Sequence, residues 1–130
     1  MRDLKYARKL IALAQKDIKA LAAMARSQEF EDGIFGFHAQ QGVEKALKAW
    51  IASLGIEYPL THDIAVLLAL LRANGIDTEQ YRTLEGYTAF AVQFRYEDFS
   101  MIGECLDRDD ILRHVTDLVT HVASIVSRDD

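Results

Sequence analysis

Residues 37 to 50, FHAQQGVEKALKAW, set a histidine, two glutamines and a Glu-Lys pair around a glycine. At about 100° per residue, His38, Gln41, Lys45 and Lys48 share one helical face. Phe35, Ala39, Val43, Ala46, Leu47, Trp50 and Leu54 share the other. A histidine followed one turn later by a glutamine offers donors and acceptors of modest flexibility, so the stripe could line a pocket or a symmetric dimer seam. The alternative is an exposed helix face with nothing bound to it. Gly42 favours the first reading, because a glycine inside a helix costs about 1 kcal/mol against alanine and often marks the close approach of another backbone.

Three further residues invite a metal site. His114, Asp117 and His121 lie along one helical face, but seven residues between the histidines correspond to about 10.5 Å of rise. One ion with bonds of about 2 Å cannot reach both, and a solvated face is the expectation. No metal and no cofactor are expected. The single Cys105 has no partner for an internal disulfide or a metal knuckle and reads as a small hydrophobe.

The elements that must position these groups are helical. A chain of 130 residues is long enough for one domain that buries roughly two thirds of its unfolded surface, and residues 1 to 130 are expected to form one. Half the residues are hydrophobic and 27% charged, the balance of a chain that folds. The longest uncharged apolar run, IAVLLALL, is too short for a membrane span, and no apolar segment follows the charged N-terminus. A cytoplasmic protein is expected. The net charge of -5 argues against indiscriminate coating of nucleic acid, yet residues 1 to 28 hold seven basic and two acidic side chains. Residues 97 to 130 hold three basic and nine acidic ones.

Only Pro59 interrupts the chain, and no strict alternation argues a strand. Leu4, Ala7, Ile11, Ala14, Ile18, Leu21 and Ala25 recur at steps of three and four, which predicts a long first helix. Arg2, Lys5, Arg8, Lys9, Lys16, Lys19 and Arg26 fall opposite that stripe. These cations could track phosphates, or pair loosely with the acidic last helix or a neighbouring subunit. No aromatic residues interleave with them as a platform for single strands requires. A second helix is predicted from about Ile34 to Leu54, stopping at Gly55, and a third after Thr61 acts as its cap, with Asp63 in its first turn. That helix should end at Asn74-Gly75, where Asp77 and Gln80 make a start like a capping box for a fourth, running to about Phe94. Ile111, Val115, Leu118, Val122 and Ile125 predict the last. Joined by short turns, these make an all-α antiparallel up-and-down bundle of four to five helices. Trp50, Phe90, Phe94 and Phe99 add apolar surface to this, which points to a homodimer.

Three blocks in order, HAQQGVEKALKA, PLTHDI and RYED, resemble the HEPN domain family, in the group with the pattern H-x-Q-Q-A-x-E-K, then T-H-[DN], then R-Y-P-[DE]. The resemblance spans about residues 35 to 98. It implies a helical bundle that commonly dimerises, and a partner that is a minimal nucleotidyltransferase in a prokaryotic two-component module. Other members are metal-independent RNA endonucleases with an Arg-x4-6-His motif. Here Gly42 replaces the alanine, Glu97 stands in place of the proline, and no histidine follows Arg95 at the required spacing. Arg108 and His114 match that spacing formally, but nine arginines and four histidines give roughly one such hit by chance. Asp107, Asp109 and Asp110 beside them would repel a phosphodiester and suit a helix N-terminus instead.

The resemblance therefore implies a toxin-antitoxin-like subunit that binds a nucleotide or RNA ligand, or a nucleotidyltransferase partner, without turnover. The alternative is a metal-independent RNA endonuclease toxin. His38, Gln41, Lys45 and His62 would shape the ligand cleft or dimer seam together with Arg95, Tyr96 and Asp98. Within that set Arg95 would meet a phosphate, or hold the adjacent segment by pairing with Asp98.

Overall fold

Three long amphipathic segments and one fully apolar one have to bury their stripes against each other, and helix packing is how they do it. The computed structural model describes residues 3–89 and 106–128. Arg95, Tyr96 and Asp98 of the expected site lie outside the described residues, as do Cys105 and three of the four aromatics behind the dimer expectation, Phe90, Phe94 and Phe99. The fourth, Trp50, is 3% exposed and belongs to the core, so it adds nothing to an outer seam.

Helix α1 (Leu4–Ala25) begins at Asp3, whose carboxylate accepts from the Tyr6 amide at 3.1 Å. Its buried stripe is Ala7, Leu10, Ile11, Ala14, Leu21 and Met24. Helix α2 (Asp32–Ser53) runs antiparallel to it, since the Asp3 amide donates to the Ala52 carbonyl at 3.1 Å. α2 is covered on almost every side. Phe35, Ala39, Val43, Ala46, Leu47 and Trp50 are buried as expected, and so are Ala49, Ile51, Ala52, Gln40 and Glu44. Helix α3 (Ile64–Ala73) buries Ile64, Leu67, Leu68 and Leu71, and helix α4 (Arg108–Arg128) packs Ile111, Val115, Leu118, Val119 and Val122 into the same core. Among the described residues there is no strand, and no helix is long and apolar enough to cross a membrane.

Both predicted glycine stops are present. Gly55 (φ 78°) donates to the Ala52 carbonyl while Ile56 reaches the Ile51 carbonyl, and Gly75 (φ 85°) with Ile76 repeats the pattern on Arg72 and Leu71. This paired 5→2 and 6→1 bonding needs a residue at positive φ, which glycine adopts without steric cost.

Two starts differ from expectation. The cap of α3 is Asp63, whose carboxylate accepts from the Ala65 amide at 3.0 Å. Thr61 instead accepts from the Asp63 amide at 3.1 Å, shaping the turn that precedes the cap. The fourth element is a 3₁₀ helix over Glu79–Tyr87. Its buried residues Tyr81, Leu84 and Tyr87 are three apart, so a helix of three residues per turn stacks all of them on one line. Asp77 accepts from the Glu79 amide at 3.0 Å, which makes a local turn and not a reciprocal box.

The start of α4 is tied to both other long helices by Arg108. Its Nε donates to Asp32 Oδ1 at 3.0 Å, Nη1 to the carbonyls of Met24 (2.7 Å) and Ser27 (3.1 Å), and Nη2 to the Phe30 carbonyl. The guanidinium also lies 5.4 Å from the Phe35 ring centre. These bonds gather the end of α1, the turn that follows it and the start of α2 around one guanidinium, so that α4 runs against α1 and alongside α2. Asp107 caps α4 by accepting from the Asp110 amide at 3.1 Å. Replacing Arg108 by alanine should therefore cost about 3 kcal/mol in urea unfolding, because Asp32 loses its cation and the Ser27 and Phe30 carbonyls lose a donor. Arg113→Ala, which breaks only the exposed pair with Asp110, should cost at most about 1 kcal/mol.

Candidate functional site

The polar face of α2 meets other elements, and it is not an open helix surface. A carboxylate from α1 enters it: Asp17 is 8% exposed, although it sits in register between Ala14 and Leu21 of the apolar stripe. Lys45 Nζ donates to Asp17 Oδ2 at 2.8 Å, and His38 Nδ1 lies 3.5 Å from Asp17 Oδ1. His38 Nδ1 is itself buried and makes no hydrogen bond. One turn of the seam is thus an ion pair with an imidazole beside it.

A second cluster is centred on Glu44, 5% exposed. His62 Nδ1 stands 2.6 Å from Glu44 Oε1, and Gln40 Nε2 donates to the same oxygen at 3.3 Å. Lys48 Nζ lies 3.6 Å from Oε2. Gln40 also donates to the His62 carbonyl at 3.4 Å and accepts from Gln41 Nε2 at 2.8 Å. A buried carboxylate is tolerable only when cations and donors surround it, and Glu44 has three such neighbours. The connection before α3 is pinned down by these contacts. Lys48 also reaches the face of Tyr58 in that connection, 5.5 Å from its centre, and Tyr58 stacks on Tyr6 of α1.

Of the seven expected site residues, the structure brings four to this seam. His38 and Lys45 meet Asp17; Gln41 and His62 meet the Gln40-Glu44 pair. Arg95, Tyr96 and Asp98 lie outside the described residues. Asp17, Gln40 and Glu44 were missed. Asp17 carried a positional signal, a polar residue at helical spacing between Ala14 and Leu21, whereas Gln40 and Glu44 flank the apolar face of α2 and carried none. Chemically, Glu44 holds the His62 ring through Nδ1, so Nε2 of this 60%-exposed side chain is the nitrogen left for a ligand from outside.

Gly42 sits where α2 crosses both neighbours. A Cβ there would stand 3.2 Å from Val115 Cγ1 and 3.6 Å from Asp17 Cβ, so the glycine sits at a close approach where an added methyl would need Val115 to give by a few tenths of an ångström.

His114, Asp117 and His121 are not the plain solvated face the spacing suggested. With Gln80, Tyr81 and Thr83 they line a cavity of about 300 Å³ between α4 and the 3₁₀ segment. His121 packs edge-on to Trp50 at 5.2 Å, and Trp50 edge-on to Tyr81 at 5.9 Å. Burial, and after it the Asp117 charge, pushes the Tyr81 phenol up from its ordinary range. Among the described residues no group of three or more ligand side chains could hold a metal ion.

The two clusters predict unequal sensitivities. Glu44→Ala should lower stability by about 2–3 kcal/mol, since it strands Gln40, Lys48 and the His62 connection at once. Gln41→Ala, at the rim, should cost less than about 1 kcal/mol, with both read by thermal unfolding under identical buffer.

No curated protein and no solved structure matches this chain. A family model for the HEPN domain matches residues 7–126, from the first buried turn of α1 to the last of α4. That match contains both clusters and the Arg108 tether, and by it the chain belongs to the HEPN domain family.

Proposed function

We propose that the protein is the non-catalytic subunit of a toxin-antitoxin-like two-component module of the prokaryotic type, binding a nucleotide or RNA ligand or a nucleotidyltransferase partner. The observation that carries this reading is the commitment of Arg108. In a metal-independent ribonuclease the arginine must stand beside the scissile phosphate while a histidine moves the proton. The Arg108 guanidinium is spent on Asp32 and on three backbone carbonyls, and His114, the histidine at matching spacing, lies 3.7 Å from Asp110. A carboxylate beside each member of the pair opposes an incoming phosphodiester. The sequence after Arg95 offers no histidine to replace His114 at that spacing.

Binding without turnover is supported by the seam itself. His38, Lys45 and His62 stand against the buried carboxylates of Asp17 and Glu44, and Gln41 against the Gln40 amide, an arrangement of imidazole, ammonium and amide groups suited to recognition. In this reading the chain is a homodimer whose partner copy faces the same seam.

Incubation with a fluorescently end-labelled RNA, with magnesium and with EDTA, should leave the RNA intact. The test must include His114→Ala and the exposed control Arg82→Ala. Cleavage abolished by His114→Ala and kept in the control would establish the endonuclease reading in place of this one.

A further inference from the structure

The outward face of α1 is a strongly charged surface that the seam does not use. Lys5, Lys9, Lys16 and Lys19 are exposed, and among the described residues none of them has an ion-pair partner. Both α1-side carboxylates are engaged elsewhere: Asp3 caps the helix and Asp17 is buried against Lys45. On α1 the lysines therefore point outward while Asp17 is turned inward and Asp3 sits at the helix start, on a chain whose net charge is -5.

Pairing with the acidic last helix would have explained this surface, yet among the described residues none of the four lysines forms an ion pair with α4. α4 meets the core through Ile111, Val115, Leu118 and Val122, while Asp110 is occupied by Arg113 and His114. An uncompensated row of lysines costs self-repulsion, which a polyanion relieves. The four lysines form two pairs, Lys5 with Lys9 and Lys16 with Lys19, whose midpoints are about 16 Å apart along the axis. Ala12 and Ala23 share this outward face, so no bulky side chain holds a ligand away from the ammonium groups.

We infer that the outward face of α1 docks the phosphate backbone of a double-helical RNA. The inference rests on the RNA-binding reading above and adds to its seam a second contact surface and a ligand form. A single strand would need aromatic side chains between the lysines on which to stack its bases. Of the α1 aromatics there is only Tyr6, and its ring is already stacked on Tyr58. Lysines, as compact charges on flexible stems, meet phosphates without reading bases, so recognition here is by shape and backbone.

Fluorescence anisotropy of the full chain with a 20-base-pair RNA duplex, between 50 and 200 mM salt, tests this. Four phosphate contacts imply a loss of affinity of about 100-fold over that range, and Lys9→Gln/Lys16→Gln should reduce the loss to about 10-fold. Both positions are exposed, and an unchanged melting curve certifies the fold of the variant. Unchanged duplex affinity in the double variant would overturn the inference, as would tighter binding to the single strand of the same sequence. If duplex binding survives in the lysine variant but is lost in Lys45→Met, the surface is wrong and the RNA-binding reading stands. Salt-sensitive self-association by light scattering with no duplex binding would assign the face to a second copy of the chain and overturn the inference.

Discussion

Because α2 is surrounded by α1, α3, the 3₁₀ segment and α4, Gln40 and Glu44 are buried along with its apolar side chains, and the rest of the structure accommodates that constraint. Two carboxylates, Asp17 and Glu44, sit at 8% and 5% exposure. Each would be expensive to bury alone, and each is met by a cation and by an imidazole. Lys45 crosses to α1 and Lys48 stays on α2, while His62 comes from the connection that leads to α3. The Asp17–Lys45 pair thereby ties α1 to α2, and the His62–Glu44 contact ties the connection before α3 to α2. Apolar packing supplies the bulk of the driving force.

Arg108 does at one end of the bundle what the seam does in the middle. It terminates α1, holds the start of α2 and begins α4 with a single planar fork. An arginine so employed cannot also approach a phosphate without dismantling the junction. The acidic residues around the start of α4 likewise suit a helix N-terminus, where Asp107 caps the first turn.

Much of this was legible in the residues. The apolar stripes of α1 and α4, and the glycine stops at Gly55 and Gly75, depend on local spacing and backbone freedom, which a sequence displays directly. The motif block around His38 also displayed its polar character. What it could not display was direction: Gln40 and Glu44 look like ordinary surface residues until α3 and its connection are laid over them. The α3 cap was misplaced by two residues because Thr61 and Asp63 both suit a cap, and only the backbone decides which one the helix follows. The 3₁₀ element was hidden in a spacing of exact threes that also passes for a loose α pattern.

The polar set of α2 is bonded to its neighbours along a seam. A double-mutant cycle on Asp17→Asn and Lys45→Met, followed by urea unfolding, measures it most directly. The geometry, 2.8 Å between groups that are 11% and 26% exposed, predicts a coupling of about 1–2 kcal/mol. Two substitutions that add within about 0.3 kcal/mol would mean that water already screens the pair, and that the seam is an ordinary exposed helix face.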